Sequence, residues 1–320
     1  IIMSSPRRSF LKSSGIFAGV TMLGKPLQAL ADVSKKINTI DAGKCINIFQ
    51  TNDLNSQIKS NQEGFGGLEK VYALMAGEDV SGLVVDAGNF LDRQQSRGMQ
   101  ERTINLMNKI GYHAAAIGIN ELSMGQAGFS ELIPQMNFSL VNCNYRFSHS
   151  VLNSAIKPYI VIKTKGLRVG VTGVGPRLDI EGILFENPYT AANRTAEYLK
   201  REMGCDLVIC LSQLGFDEDK FSSKELAAVS AHIDFIASGS SNKVLQGAMI
   251  LKNRDKHDVV LSQAGENGMV IGKTRFGFNE NKQRNDFHHK YLIAGLAHKD
   301  QFAQAHLVLR NLSATQKINS

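Results

Sequence analysis

Charge is scarce in this 320-residue sequence: Asp, Glu, Lys and Arg make up 20% of it, against 43% hydrophobic residues. That balance excludes a self-repelling disordered chain and supplies apolar material for one substantial core. Cysteine is also sparse, with Cys45, Cys143, Cys205 and Cys210 and no CxxC or Cys/His cluster of the kind that holds zinc. Cys45 and Cys210 sit in apolar strand-like runs. An extended segment between Cys205 and Cys210 would hold their Cα atoms beyond the roughly 7 Å disulfide limit, so free buried thiols are expected. Long apolar runs are missing as well. The stretch Gly15 to Leu23 is too short and too rich in small residues to cross a membrane as a helix of about twenty apolar residues. Against these shortages stand 29 glycines, the mark of a turn-rich α/β chain.

Residues 1–31 form a segment of their own. Arg7-Arg8 precedes the weakly apolar stretch, and Ala29-Leu30-Ala31 ends it with a small-x-small cleavage pattern before Asp32. The order resembles a twin-arginine export signal, implying a periplasmic or cell-envelope location; left uncut, it would act as a tether. Arg7, Arg8, Lys12 and Lys25 contribute four of the seven net positive charges. The remainder shows no basic stripe, which argues against a nucleic-acid partner. Residues 32–44 read as a polar leader.

From Cys45 onward, short β-type runs alternate with helical patterns. Cys45–Gln50, Gly82–Ala87, Ala114–Gly118, Phe138–Asn142, Asp206–Leu211 and Ile233–Ala237 read as strands. Leu68–Ala76, Met99–Ile110 with Gly111 as its stop, Tyr189–Met203 and Ser222–Ser230 read as helices. Tyr159–Thr164 and Leu167–Gly173, split by Lys165-Gly166, predict an antiparallel hairpin. Val259–Gln263 and Gly272–Phe278 read as a further pair of strands, and Phe287–Leu309 as a helix-like segment in a C-terminal extension, 281–320. This alternation predicts an α/β domain over 45–280 with mixed sheets.

Polar residues gather just after the strand ends, where α/β folds place ligands. The groups are Thr51-Asn52-Asp53-Leu54-Asn55, Asp86-Ala87-Gly88-Asn89, Gly118-Ile119-Asn120-Glu121, Leu211-Ser212-Gln213-Leu214-Gly215 and Ser238-Gly239-Ser240-Ser241-Asn242. Singly, each is an ordinary turn. Together, in this order, they resemble the 5′-nucleotidase and bifunctional metallophosphatase family. Its corresponding motifs read T-N-D-x-H, D-A-G-D, G-N-H-E, L-S-H-L-G and G-G-H-[ST]-H. The resemblance runs from about residue 45 to 280 and implies a calcineurin-like metallophosphoesterase fold, a four-layer α/β/β/α sandwich of two mixed sheets. It also implies a pair of divalent metals and phosphoester hydrolysis in intact members. Those members usually carry a further C-terminal domain holding the nucleoside base, which this sequence is expected to lack.

The departures all fall on the site. By the resemblance, Asp53 is the one retained metal ligand. Asn55, Asn89, Ile119, Gln213, Ser240 and Asn242 stand at the other six ligand positions, and Asn120 at that of the auxiliary catalytic histidine. All eight histidines lie elsewhere, at 113, 149, 232, 257, 288, 289, 298 and 306. Two divalent ions bring a charge of +4, and a bridging carboxylate lets them approach to about 3.5–4 Å. Amides and hydroxyls replace neither that charge nor the imidazole nitrogens. No metal cofactor is therefore expected. A non-catalytic, exported protein acting by ligand binding or assembly is the leading expectation; a phosphoester hydrolase with an atypical or mononuclear site is the alternative. Small polar side chains at Asp53, Asn55, Asn89, Asn120, Gln213, Ser240 and Asn242 suit a neutral, hydroxyl-rich ligand, or simply one another in an internal amide network. Other chemistries find less support. Asp53, Asp86 and Glu121 would need a shared cavity to act as an acid/base pair, Asp86 and Glu121 reading rather as braces for backbone. Ser212, Ser240 and Ser241 have no histidine nearby in sequence to activate them.

Overall fold

A computed structural model of the chain describes residues 36–37, 44–77, 81–164, 166–218, 220–240, 247–296 and 300. The expected export segment, residues 1–31, lies outside them, as do Ser241, Asn242 and residues 301–320. The strands are β1 (Lys36–Ile37), β2 (Lys44–Thr51), β3 (Leu83–Asp86), β4 (Ala114–Ala116), β5 (Ser139–Val141), β6 (Tyr145–Phe147), β7 (Ile156–Lys157), β8 (Tyr159–Thr164), β9 (Leu167–Val174), β10 (Ile183–Phe185), β11 (Leu207–Ser212), β12 (Phe235–Ser238), β13 (Met249–Lys252), β14 (Asp258–Gln263), β15 (Val270–Phe278) and β16 (Arg284–Ile293). The helices are α1 (Leu68–Gly77), α2 (Arg97–Ile110), α3 (Ile119–Leu122), α4 (Gln126–Ser130), α5 (Ser150–Ala155), α6 (Pro188–Arg201) and α7 (Ser223–Val229).

Two seven-stranded sheets stack face to face. One runs β16-β15-β2-β3-β4-β5-β7, the other β1-β8-β9-β11-β12-β14-β13, and β10 with β6 makes a separate ribbon. In the first sheet β2, β3, β4, β5 and β7 are parallel and β15 and β16 antiparallel. In the second, β9, β11, β12 and β14 are parallel, flanked by the antiparallel β8 and β13.

The two-residue period of a strand decides what each side chain packs against. Along β11, Leu207, Ile209 and Leu211 enter the core between the sheets, while Val208 and Cys210 face the helical layer. Its continuous apolar run is thus the signature of a strand covered on both faces. Ile46 and Ile48 of β2 likewise meet Val171, Ile209 and Phe235 of the other sheet, whereas Phe49 packs beneath α1 and α2. Helices outside each sheet complete an α/β/β/α sandwich, as expected. In α2, Ser96 caps the N-terminus by accepting the Met99 N–H, and Gly111 ends it at φ 88°.

Three readings need correction. Val259–Gln263 and Gly272–Phe278 do not pair with each other: β14 belongs to the second sheet and β15 to the first. Residues 284–293 of the extension are a strand rather than a helix, paired along β15. The period-two series Phe287, His289, Tyr291 and Ile293 fits that edge better than the three- and four-residue spacings suggest for a helix. Within the supposed leader, Lys36–Ile37 adds to β8 and Lys44 already opens β2. The four cysteines are free and buried. Among the described residues no helix is long and apolar enough to cross a membrane.

Candidate functional site

The carboxyl ends of β2, β3, β4, β11 and β12 converge on one point, and the chain turns sharply at each. Asp53, Asn55, Asn89 and Ser240 adopt left-handed backbone, with φ of 49°, 49°, 54° and 60°. Asn and Asp accept that conformation at lower cost than other non-glycine residues. Backbone bonds lock the turns together: Asp53 N–H to Gly88 O (2.8 Å), Asn55 N–H to Asn89 O (2.9 Å) and Gly239 N–H to Ser212 O (2.8 Å). Two glycines give the side chains room. A Cβ on Gly118 would fall 2.2 Å from Asn89 Oδ1, and one on Gly239 would fall 2.5 Å from Gln213 Nε2.

The side chains so gathered bond to each other. Asn89 lies at the centre, its Nδ2 donating to Asp53 Oδ1 and to Gln213 Oε1, both at 2.9 Å. Its Oδ1 accepts the Asn120 N–H at 3.2 Å. Reversing that amide would set oxygen against two acceptors and nitrogen against a donor, so the orientation is fixed by its neighbours. Gln213 Nε2 donates to Ala87 O (2.7 Å). Asn120 Nδ2 donates to Asn55 Oδ1 (3.1 Å), and Asn55 Nδ2 to Asp53 O (2.9 Å). Asp53 Oδ2 accepts from Asn52 Nδ2 (2.9 Å) and from the Ser240 N–H (2.8 Å).

The described members of the sequence-derived set, Asp53, Asn55, Asn89, Asn120, Gln213 and Ser240, therefore meet in one network. Ile119 points away, about half exposed. Sequence reasoning overlooked Asn52, whose Oδ1 also accepts the Ala264 N–H (2.9 Å), and Asn267, whose Oδ1 accepts from Asn55 at 3.2 Å. Asn52 was in plain view inside Thr51-Asn52-Asp53; Asn267 lies in a turn between distant strands and carried no signal. A cavity lined by all these amides is not what forms. They are spent on one another, and of the described members only Gln213 and Ser240 reach the adjoining cleft of about 570 Å³.

The acids around the network brace the backbone. Asp86 Oδ1 accepts the Gly88 N–H (2.8 Å) and its Oδ2 the Thr51 hydroxyl (2.6 Å). Glu121 accepts the Leu91 N–H (2.8 Å) and the Gly118 N–H (2.7 Å). Burial pushes Asp53 above the ordinary carboxylate range against the pull of its amide donors. It drives Asp86 well above that range and Glu121 up to about 7. Neither Asp86 nor Glu121 opens to the cleft, so the acid/base pairing is not formed. The Ser212 hydroxyl bonds to that of Ser223 (2.9 Å), which accepts from Ser238 (2.8 Å), a buried hydroxyl chain without histidine.

These residues do not fit a pair of divalent cations. The Asp53 carboxylate is filled by N–H donors, and the Asn89 amide turns its N–H groups, which cannot ligate a cation, toward Asp53 and Gln213. Among the described residues no group of three or more His, Cys, Asp or Glu side chains could hold a metal.

No family model matches the chain. It is 25% identical over 272 residues to snake venom 5′-nucleotidase of Gloydius brevicauda, covering 73% of this chain and 45% of that protein. The chain spans about half the length of the curated relatives it matches. A solved 5′-nucleotidase precursor from Thermus thermophilus superposes with TM-score 0.71 and 23% identity, over 85% of this chain and 59% of that one. The calcineurin-like phosphoesterase YfkN of Bacillus subtilis superposes with TM-score 0.62 and 17% identity, over 85% and 98%. The chain therefore has the calcineurin-like phosphoesterase fold, and its relatives by sequence are 5′-nucleotidases.

Proposed function

We propose that this chain is a non-catalytic relative of the metallophosphatases, exported through its N-terminal segment and acting by binding or assembly. One observation carries the reading: the Asn89 amide donates to both Asp53 and Gln213. Its two N–H groups supply, in fixed and neutral form, the electropositive partner that a cation would otherwise give the Asp53 carboxylate. An amide needs no metal to be stable there, and a hydrogen-bond network centred on the buried Asp53, Asn89 and Gln213 resists being opened. Two-metal phosphoester hydrolysis needs a bridging anion and imidazole or carboxylate ligands. Asn55, Asn89, Gln213 and Ser240 offer neither.

The competing reading, hydrolysis at an atypical or mononuclear site, draws on the survival of Asp53. Metal analysis separates the two. Protein purified with excess Mn²⁺ or Zn²⁺ and then gel-filtered is expected to retain no stoichiometric metal. It should turn over phosphomonoesters and cyclic phosphodiesters no faster than Asp53→Ala. Bound metal together with turnover abolished by Asp53→Ala would overturn the proposal.

A further inference from the structure

Beside the amide network lies the cleft of about 570 Å³, a size suited to a small molecule. Two loops make its walls, one following β9 and the other following β11. The described charged residues that line it are Arg177 and Asp179 from the first and Glu218 and Lys220 from the second. None of the four has a hydrogen bond or ion pair among the described residues. Near them, Arg194 pairs with Glu186 and Lys224 with Asp217. Phe221 supplies an apolar wall, itself held edge-on against Tyr189 with ring centroids 5.3 Å apart. The Ser240 hydroxyl, exposed at the floor, is likewise without a partner among the described residues.

Both loops are anchored where they leave the sheet. Asn144 bonds to Gly175 through both its amide atoms (2.8 and 2.9 Å), and the Tyr145 hydroxyl donates to Pro176 O. On the other side the Ser223 N–H bonds to Gly215 O (2.9 Å) and Lys224 to Asp217 (3.0 Å). The four charges are thus presented from fixed stems rather than from a free coil.

We propose that this cleft binds a small zwitterion with an apolar side group, of the chemical class of an α-amino acid. Among the described lining residues two cations stand beside two anions, and a phosphate dianion would meet Asp179 and Glu218 as well as the cations. A molecule bearing both signs can satisfy both. Its carboxylate pairs with Arg177, whose guanidinium offers a two-pronged donor, and with Lys220. Its ammonium pairs with Asp179 and Glu218, and its apolar group lies on Phe221. The inference rests on the binding reading above, because it needs the cleft floor at Gln213 to be closed by amides rather than by metal.

The test uses the full chain, treated with EDTA, and titrates L-phenylalanine by calorimetry beside N-acetyl-L-phenylalanine, L-phenylalaninamide and AMP. Saturable binding of L-phenylalanine is expected, with each blocked form weaker by about tenfold or more, since each loses one of the ligand's two charged groups. Arg177→Gln and Glu218→Gln should each weaken it by a similar factor and leave the melting temperature unchanged, neither side chain having a partner to lose among the described residues. The proposal is overturned by an absence of saturation with L-phenylalanine and L-leucine up to about 10 mM, by equal binding of the blocked forms, or by tighter binding of AMP. Metal content keeps the two readings apart. A metal-free chain that ignores amino acids refutes the zwitterion site alone, and a chain that takes up metal and turns over phosphoesters refutes the non-catalytic reading alone.

Discussion

Replacing Asn89 by aspartate changes one NH2 group into oxygen and should expose the logic of the whole site. In the native protein that nitrogen donates two 2.9 Å bonds, to Asp53 and to Gln213, at a position about one-fourteenth exposed to solvent. In Asn89→Asp both bonds vanish and two carboxylates face each other. At a separation of about 4 Å and an effective dielectric of about 20, their repulsion is about 4 kcal/mol. Taking up a proton offers relief. Holding one of them protonated at pH 7 against an ordinary pKa near 4 costs about 4 kcal/mol by a different route. The two figures agree, so a loss of about 3–4 kcal/mol is expected at pH 7. The sign with pH follows from linkage: the variant's folded state binds the extra proton, so its deficit shrinks as pH falls, by up to about 1.4 kcal/mol per unit between pH 7 and 5. Urea denaturation at pH 7.5, 6 and 5 in EDTA measures this. Adding Mn²⁺ should restore part of the stability to Asn89→Asp and none to the native chain. A variant as stable as the native protein at pH 7.5 in EDTA would refute the reasoning.

Other expectations follow from the same contacts. Burial holds Glu121 up at about 7, so its contribution to stability is present in full below about pH 4.5 and is lost as pH rises to 7; denaturation midpoints across that window should fall. Glu121→Gln removes the charge yet should destabilise by about 1–3 kcal/mol, because an amide nitrogen cannot accept the Leu91 or Gly118 N–H, and a denaturation curve at pH 5 would show it. Gly239→Ala forces a methyl to 2.5 Å from Gln213 Nε2 and 3.4 Å from Asp53 Oδ2; a loss of about 1–3 kcal/mol is expected from crowding, read as a lowered melting temperature. Ending the chain after Asn281 removes β16 with its buried Tyr291, Leu292 and Ile293; at about 1.5–3 kcal/mol per side chain the core should melt far earlier or fail to fold, as circular dichroism would report.

Much of the architecture is legible in the sequence because burial and strand period are local properties. The run at Leu207–Ser212, the hairpin around Gly166 and the helix closed by Gly111 need no knowledge of distant residues. The errors arose where pairing is remote. Nothing within β14 or β15 says which sheet each joins, and residues 284–293 become a strand because β15 offers a free edge there. The same holds at the site. Asp53, Asn89 and Gln213 stand out as polar residues at strand ends, but Asn267, 212 positions from Asn55, enters only when β2 and β15 meet.

The amino-acid sequence alone determined which atoms are available around Asp53 at the strand ends: its own carboxylate, and next to it amides and hydroxyls with no imidazole. That is chemistry written residue by residue, and folding cannot alter it. What the tertiary structure decided is where those amides point. Hydrogen bonds are directional, so only the convergence of β2, β3, β4, β11 and β12 could turn the Asn89 nitrogen onto Asp53 and Gln213, closing the network inward. Arg177, Asp179, Glu218 and Lys220, on two loops far apart in sequence, face a common cleft for the same reason.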